Sequence, residues 1–389
     1  MALHVPEYIR TLVPYVPGKP IEETQREFNL RKVIKLASNE NPLGPSPKAL
    51  QAIRAHLKEL HRYPDASGYR LKLMLSKILQ VSTSSLILGN GSNEVIDHIV
   101  RTFCIPGDAA VISKTAFIAY KICAQIHGVK TLEVPVNAEL KFDVNEMAAM
   151  VKANDRVRVV FIANPNNPTG SYLNLSELNT LLKEIATIRD GSVLVVLDYA
   201  YWEYVTAKDL PDAGELFKKH SNLIILRTFS KVYGLAGLRI GYGIASPELI
   251  ADMEKVRQPF NMNNLSLAAA ECALSDTQFV KKAKKLNSEG LRFWMKELSE
   301  MDIPFWKSQG NFLLADIQKG TGMQGVEVYQ ACLRKGVIFR PVSNYGLPHA
   351  LRISMGTMPE NRHAVQVLRE VSNKVSQKAG KKKKKRRSS

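Results

Sequence analysis

The sequence predicts an α/β fold with a mostly parallel sheet in a large domain, together with a smaller α+β domain. Apolar runs of strand length recur through the middle of the chain and alternate with helical stretches, a pattern typical of βαβ units. These runs are continuously apolar rather than alternating between apolar and polar. Such runs are typical of strands that helices cover on both faces, as in a parallel sheet.

The elements follow in order from local patterns. Residues 1–48 are rich in proline and irregular, which predicts an arm and a loop. Residues 47–60 have proline near their start and apolar residues at helical spacing, which predicts a helix. Branched apolar residues predict strands at 109–112, 157–163, 192–198, 222–228 and 240–245. The predicted helices between several of them are 93–104, 118–127, 144–152 and 176–189.

The last third of the chain has a different pattern. Residues 262–301 are mostly helical in pattern, and residues 302–375 mix short strands at 312–317, 337–340 and 350–355 with helices at 325–335 and 359–377. We therefore expect an arm and part of the small domain at 1–48, a large domain at 49–275, a small domain at 276–377 and a disordered tail at 378–389.

The net charge of +18 invites a nucleic-acid or membrane partner. Eight of the cationic side chains lie in residues 378–389, which contain no acidic residue. Such a segment cannot bury a core, and it either binds an acidic polymer or surface or is a solvated extension. We favour the solvated extension, because no basic groove or helix-turn-helix pattern precedes it. No apolar run reaches the ~20 residues of a membrane span.

The cysteines do not form a metal or disulfide pattern. They stand apart at Cys104, Cys123, Cys272 and Cys332 with no CxxC pair, so we expect neither a metal site nor disulfides. Isolated thiols suit a reducing cytoplasm, and the N-terminus lacks the apolar region of a secretion signal.

Polar residues follow the predicted strands, where ligands bind in such sheets. The turn GNGSNE at 89–94 opens a helix, so it either binds a phosphate with its free N–H groups or is a plain cap made by Ser92 or Asn93. The turn NPNNPTG at 164–170 holds Asn167, which either donates to a ligand or belongs to a plain loop.

Two later strand ends carry charge. Asp198 ends an apolar run, where a carboxylate is costly unless it is paired, so it either caps a turn or holds a cation such as a protonated ring nitrogen. Lys231 follows the next run, beside Ser230 and near Arg239; it is either a solvated loop lysine or a desolvated nucleophile. Pyridoxal 5′-phosphate is the cofactor that needs a lysine, a carboxylate, donors and a phosphate cradle together.

The chain resembles the histidinol-phosphate aminotransferase family of fold-type I pyridoxal-phosphate enzymes over roughly residues 5–375. The motifs that carry the resemblance are YIRTLVPYVPGKPIEE (8–23), LASNENPLGPSP (36–47), RYPD (62–65), GNGSNE (89–94), NPNNPTG (164–170), DYAY (198–201), SKVYGLAGLRIGY (230–242) and LRISMGTMPEN (351–361).

The resemblance implies roles for the cofactor site. Lys231 would form the internal aldimine and shuttle a proton, Asp198 would hold the pyridine nitrogen protonated, and Tyr201 and Asn167 would hydrogen-bond the ring oxygen. The phosphate would be bound by Ser92, Asn93, Ser230 and Arg239. Phe117 would stack on the ring. Tyr63 would reach the cofactor phosphate of a neighbouring subunit, which makes the expected enzyme a homodimer.

The resemblance also implies the substrate side. Arg352 would bind the carboxylate of glutamate or 2-oxoglutarate and meet the phosphate of histidinol phosphate in the other half-reaction. Arg340 would either bind that phosphate or be a surface charge at a strand end. Tyr15 and Asn39 would touch the substrate. The alternatives are an aromatic amino-acid aminotransferase, a decarboxylase of phosphothreonine and a pyridoxal-phosphate-binding regulator.

Overall fold

The computed structural model describes the backbone of residues 3–385 and, apart from Ala213, the side chains of residues 3–372. Its helices α1 to α15 are, in chain order, Glu7–Arg10, Ile21–Phe28, Pro47–His56, Tyr69–Leu79, Ser92–Phe103, Ile118–Ile126, Val144–Lys152, Leu175–Thr187, Ala213–Phe217, Pro247–Val256, Asn264–Ser275, Thr277–Glu300, Ile317–Thr321, Gly325–Leu333 and Met358–Lys385. Its strands β1 to β13 are Ile34–Lys35, Leu86–Gly89, Ala109–Ser113, Lys130–Val134, Val157–Ala163, Leu194–Asp198, Leu223–Thr228, Gly241–Ile244, Phe305–Trp306, Phe312–Asp316, Val337–Ile338, Arg340–Val342 and Leu347–Ser354.

A seven-stranded sheet organises the larger part of the molecule. Its strand order is β2-β8-β7-β6-β5-β3-β4. Strand β8 runs antiparallel to β2 and β7, and every other pair in the sheet is parallel. The predicted α/β fold with a mostly parallel sheet is therefore confirmed.

The central strands are apolar throughout because both faces of the sheet are covered. Along β5, Val160 and Ile162 pack into one hydrophobic cluster, whereas Phe161 between them packs into another. Side chains alternate between the faces of a strand, so each cluster lies on one side of the sheet. The first cluster includes residues of α7 and α8, and the second includes residues of α5, α6 and α10.

A second sheet of four antiparallel strands, in the order β12-β13-β10-β9, lies in the C-terminal part. Helices α12, α14 and α15 pack around it, and the buried Trp294 of α12 donates from Nε1 to Oδ1 of Asn361 in α15 at 3.0 Å. The N-terminal segment joins this part, because β1 pairs in parallel with β11 through Ile34 and Val337. None of the described helices combines the length and apolar composition needed to cross a membrane.

Several features differ from the sequence-based expectation. Helices α1 and α2 lie in the segment that was predicted as an arm and a loop, and helices α4, α9, α10 and α13 and strand β9 were not predicted. Strand β4 was not predicted, because it lies at the sheet edge and its Lys130 and Glu133 are exposed, which breaks the apolar run. Helix α15 continues through Lys385, so residues 378–385 are helical where disorder was predicted. Lysine has a good helix propensity and extends a helix that is already formed. The last four residues of the predicted tail lie outside the described residues.

Candidate active site

A cavity of about 220 Å³ opens at the carboxyl ends of β5, β6 and β7. Parallel strands end at the same edge of a sheet, so residues far apart in sequence meet there. The cavity is lined by the predicted residues Tyr15, Asn39, Ser92, Asn93, Phe117, Asn167, Asp198, Tyr201, Ser230, Lys231, Arg239, Arg340 and Arg352. Of the predicted site residues, Tyr63 alone is not part of this lining.

Lys231 is half-buried in the cavity wall after β7. Its Nζ donates to the carbonyl oxygen of Ser38 at 3.4 Å and lies 5.5 Å from the ring centre of Tyr201. Burial, and then the positive charges of Arg352 and Arg239, lower the pKa of this amine to about 8, against the opposing effect of Glu40 and Asp198. The amine therefore loses its proton more readily than an ordinary lysine, which favours its use as a nucleophile.

Asp198 ends β6 as a buried carboxylate with two hydrogen bonds. Its Oδ1 accepts from the backbone N–H of Ala200 at 3.0 Å, and its Oδ2 accepts from the hydroxyl of Tyr120 at 2.7 Å. Burial raises the pKa of Asp198, while the two donors and the charge of Lys231 act in the opposite direction. A cation placed beside the carboxylate would favour its charged form further.

Tyr120 was not among the predicted site residues, although it lines the same cavity. Burial, and then the charge of Asp198, raise the pKa of Tyr120 well above its ordinary value. The hydroxyl therefore keeps its proton and acts as a donor. The ring is held between two aromatic neighbours, stacked on Phe161 at 4.9 Å and edge-on to Phe117 at 5.7 Å. The signal in the sequence was its position three residues after Phe117, in the first turn of the helix α6 that Phe117 precedes.

Tyr201 and Asn39 are joined in a buried hydrogen-bond network. Asn39 donates from Nδ2 to the hydroxyl of Tyr201 at 2.9 Å. Ser354 at the end of β13 accepts from the backbone N–H of Asn39 and donates to its Oδ1, at 2.9 and 2.7 Å. This network fixes the orientation of the Tyr201 hydroxyl, and it connects the N-terminal loop to the C-terminal sheet.

Arg352 lies buried on β13 with part of its guanidinium unsatisfied. Its Nη1 donates to Oδ1 of Asn167 and its Nη2 to the carbonyl oxygen of Ala37, both at 2.5 Å. Its Nε has no partner among the described residues, and burial lowers the pKa of the group. The contact with Asn167 uses the amide oxygen and leaves the Nδ2 hydrogens for another acceptor. A buried cation of this kind fits an anionic ligand.

An anion cradle forms where α5 begins. Gly91 precedes the helix with a φ of +83°, and a Cβ at this position would lie 2.6 Å from Nη2 of Arg239. A Cβ on Gly241 would lie 2.4 Å from the backbone nitrogen of Ser92. Nη1 of Arg239 also reaches Oγ of Ser230 at 3.5 Å. Free N–H groups of the first helical turn and a guanidinium converge here, as a phosphate requires.

Arg340 connects the cavity to the N-terminal arm. Its Nη2 donates to the carbonyl oxygen of Val16 at 3.1 Å, and its guanidinium carbon lies 5.9 Å from the ring centre of Tyr15. The side chain lines the cavity rather than projecting from the surface as an isolated charge. Arg340 and Arg352 therefore place two guanidinium groups in one cavity wall.

Tyr63 is 82% exposed and lies outside the cavity of its own chain. Its ring stacks on Phe260 at 4.7 Å, and Phe260 is itself 45% exposed. The loop is held by Asn264, whose Nδ2 donates to the carbonyl oxygen of Arg62 at 3.1 Å. An exposed aromatic pair on an ordered loop is available to a neighbouring molecule.

The residues that line the cavity suit pyridoxal 5′-phosphate as a group. The cradle at Gly91 and Arg239 suits a phosphate, Asp198 suits a cationic ring nitrogen, and Lys231 has the lowered pKa that bonding to an aldehyde needs. The unpartnered Nε of Arg352 adds a site for a further anion.

Comparison with known proteins identifies the family. Residues 31–368 match the family model for aminotransferases of class I and II. The chain is 44% identical to histidinol-phosphate aminotransferase 2 of Pseudomonas fluorescens strain Pf0-1 over 93% of its length and 96% of the relative's. It is 43% identical to the histidinol-phosphate aminotransferase of Anaeromyxobacter sp. strain Fw109-5, over 94% of its length and 98% of the relative's.

Solved structures agree with this assignment. The histidinol-phosphate aminotransferase from Sinorhizobium meliloti, in complex with pyridoxal-5′-phosphate, superposes with a TM-score of 0.85 at 26% identity, covering 96% of this chain and 99% of that one. Aspartate aminotransferase from Thermus thermophilus with maleate shares the fold, with a TM-score of 0.80 at 17% identity over 95% of this chain and all of that one. The chain therefore belongs to the class I and II aminotransferases and, within them, to the histidinol-phosphate aminotransferase family.

Proposed function

We propose that this protein is a pyridoxal-phosphate-dependent aminotransferase that exchanges amino groups between histidinol phosphate and 2-oxoglutarate. The observation that carries the proposal is the single cavity in which Lys231, Asp198, the cradle at Arg239 and two further arginines meet. The names of the curated relatives, which cover nearly the whole chain, support this substrate pair. The reaction would proceed in two half-reactions that use the same cavity in turn.

When bound, pyridoxal phosphate supplies an aldehyde and an electron-withdrawing ring. Lys231 would hold the aldehyde, Asp198 would face the ring nitrogen, and Ser230 and Arg239 would bind the phosphate together with the first turn of α5, at Ser92 and Asn93. Phe117 would cover one face of the ring. The amide hydrogens on Nδ2 of Asn167 and the hydroxyl of Tyr201 would donate to the ring oxygen.

Lys231 would also move the proton in each half-reaction. Its Nζ has a pKa near 8 and lies close to the charged groups that lower it, so the amine can accept and return a proton at neutral pH. Asp198 would stay ionised because Tyr120 and the N–H of Ala200 both donate to it. The network of Asn39, Tyr201 and Ser354 would keep the polar groups in place.

The two arginines would bind the ends of the substrates that do not react. Glutamate brings a carboxylate to Arg352, while histidinol phosphate brings a phosphate to Arg340 and Arg352. A guanidinium fork binds either anion with paired hydrogen bonds, so one wall serves both substrates. Tyr15, held against Arg340, would close the cavity from the arm, and Asn39 would contact the substrate.

We further propose that the enzyme is a homodimer of the cytoplasm. The exposed stack of Tyr63 and Phe260 supports a partner on that face, and Tyr63 would bind the cofactor phosphate of the other subunit. The cysteines Cys104, Cys123, Cys272 and Cys332 are all free, which supports a reducing compartment.

Replacing Lys231 by alanine removes the group proposed to bond the cofactor. Borohydride treatment of the wild-type enzyme should fix the cofactor to the peptide that contains Lys231, as read by peptide mass mapping. Lys231→Ala should show no covalent adduct and no transaminase activity above background. The exposed Lys208→Ala should behave as wild type. A covalent adduct in Lys231→Ala would contradict the assignment.

Replacing Arg340 by glutamine tests the substrate. Single-turnover rates with histidinol phosphate should fall about ten- to hundredfold, because a charge-assisted contact to the phosphate is lost, whereas those with glutamate should fall far less. Arg352→Gln should lower both, and the exposed Arg334→Gln neither. If the wild-type enzyme prefers phenylalanine or tyrosine to histidinol phosphate in kcat/KM, the aromatic alternative is correct instead.

Replacing Tyr120 by phenylalanine removes a donor to Asp198. The hydrogen bond from Tyr120 lowers the pKa of Asp198, so its loss raises that pKa. When the pH is lowered, the carboxylate of the variant therefore takes up a proton at a higher pH than that of the wild type. Cofactor affinity should drop about tenfold, and the acid limb of its pH dependence should move to higher pH. Tyr199→Phe, which removes a buried hydroxyl bonded to Pro211, is the control. An unchanged acid limb in Tyr120→Phe would refute this role.

Replacing Tyr63 by phenylalanine tests the shared site. The variant should bind the cofactor more weakly, while Tyr69→Phe, an exposed control, should not. Heterodimers of Tyr63→Phe with Lys231→Ala contain one site with both native residues if Tyr63 acts across subunits. They should therefore regain activity at limiting cofactor. A monomer in sedimentation, or no regain on mixing, would argue against the shared site.

A further inference from the structure

Three metal-ligand side chains meet on the helices α5 and α6, away from the cavity lining. Asp97 lies on α5, Cys123 lies on α6, and His127 follows the last residue of α6. One ligand atom from each side chain lies within 4.8 Å of the other two. The sequence predicted no metal site, because the cysteines are isolated and Asp97 comes from a separate helix.

The arrangement follows from the geometry of the two helices. Cys123 and His127 are four residues apart, so both side chains point to the same side of α6. Helix α5 packs along that side and brings Asp97 to them: Nε2 of His127 lies 2.7 Å from Oδ1 of Asp97. A nitrogen, a sulfur and an oxygen donor therefore converge from two rigid elements, rather than from a loop.

Both carboxylate oxygens of Asp97 have a partner in the structure. Nη1 of Arg101 lies 3.6 Å from Oδ2, and Nε2 of His127 is hydrogen-bonded to Oδ1 at 2.7 Å. A bound cation would replace the hydrogen bond between His127 and Asp97. The side chains of Asp97 and His127 are 35% and 24% exposed, which gives an ion and a water access. Cys123 is half-buried, and burial raises the pKa of its thiol to about 12. Binding therefore has to displace the thiol proton to solvent.

We propose that Asp97, Cys123 and His127 bind a divalent cation of the Zn²⁺ type, which joins α5 to α6. Zn²⁺ accepts sulfur, imidazole nitrogen and carboxylate oxygen together, and three protein ligands leave a fourth position for water. On binding, a metal–sulfur bond forms as the thiol proton leaves, and no group is oxidised or reduced. Both helices begin at the cavity, at Ser92 and beside Phe117, so the ion would fix their relative position.

The experiment uses tag-free holoenzyme that has been treated with a chelator and then dialysed against Zn²⁺. We expect one bound ion per chain that is lost, or bound at least about tenfold more weakly, in both Cys123→Ser and His127→Gln. Cys272→Ser and His220→Gln remove the same chemical groups elsewhere and should bind as wild type. Zn²⁺ should raise the thermal midpoint of the wild type and the two controls, but not that of the two ligand variants.

X-ray absorption at the zinc edge identifies the ligands independently of cofactor absorbance. We expect one sulfur at about 2.3 Å with nitrogen and oxygen at about 2.0–2.2 Å. A shell without sulfur, stoichiometric binding that persists in both ligand variants, or no saturable Zn²⁺ binding would each overturn the proposal. Because these experiments measure metal binding and not transaminase activity, the proposed metal site and the proposed function are tested independently of each other.

Discussion

The hydrogen bond between Tyr120 and Asp198 is the interaction on which the site depends most. A carboxylate at the end of a buried strand is unfavourable because it has lost its water. Here Tyr120 and the N–H of Ala200 replace that water with fixed donors. The sheet can therefore carry a negative charge where β6 ends, and this charge is what would keep a cationic ring in place. Lys231 and the cradle at Arg239 can act on the same bound cofactor only if this charge holds its ring in place.

The positive groups of the cavity come from different elements and would have different tasks. Arg239 lies at the start of α5, where backbone N–H groups already favour an anion. Arg352 and Arg340 line the same cavity and come from β13 and β12. Arg352 and Arg239 both lower the pKa of Lys231. The same cations that would bind anionic ligands thus keep the amine reactive, so binding and activation have one electrostatic origin.

Local patterns in the sequence predicted most strands of the sheet and the polar residues at their ends, because apolar runs and the residues after them depend on neighbours in the chain. The cavity residues Phe117, Tyr15, Asn39, Arg340 and Arg352 were expected from the family resemblance alone. Side-chain contacts between distant segments of the chain cannot be predicted from such local patterns. The hydroxyl of Tyr120 reaches Asp198 across 78 positions, and Asn167 turns its amide oxygen to Arg352 across 185. Strand β4 was not predicted, because its position at the sheet edge leaves it half-exposed and interrupts the apolar run. The first residues of the basic segment are helical because they continue the earlier turns of α15, and composition alone does not reveal this.

The pairing of β1 with β11 has a consequence for how the protein is made. Ile34 and Val337 are partners in one ladder, and the cavity takes residues from Tyr15 to Arg352. A chain leaves the ribosome from its N-terminus, and contacts of long sequence separation form late. The segment around Ile34 therefore cannot pair until Val337 has been synthesised, and the ligand cavity cannot close until Arg352 has followed. Until then, the nascent chain has no finished ligand site.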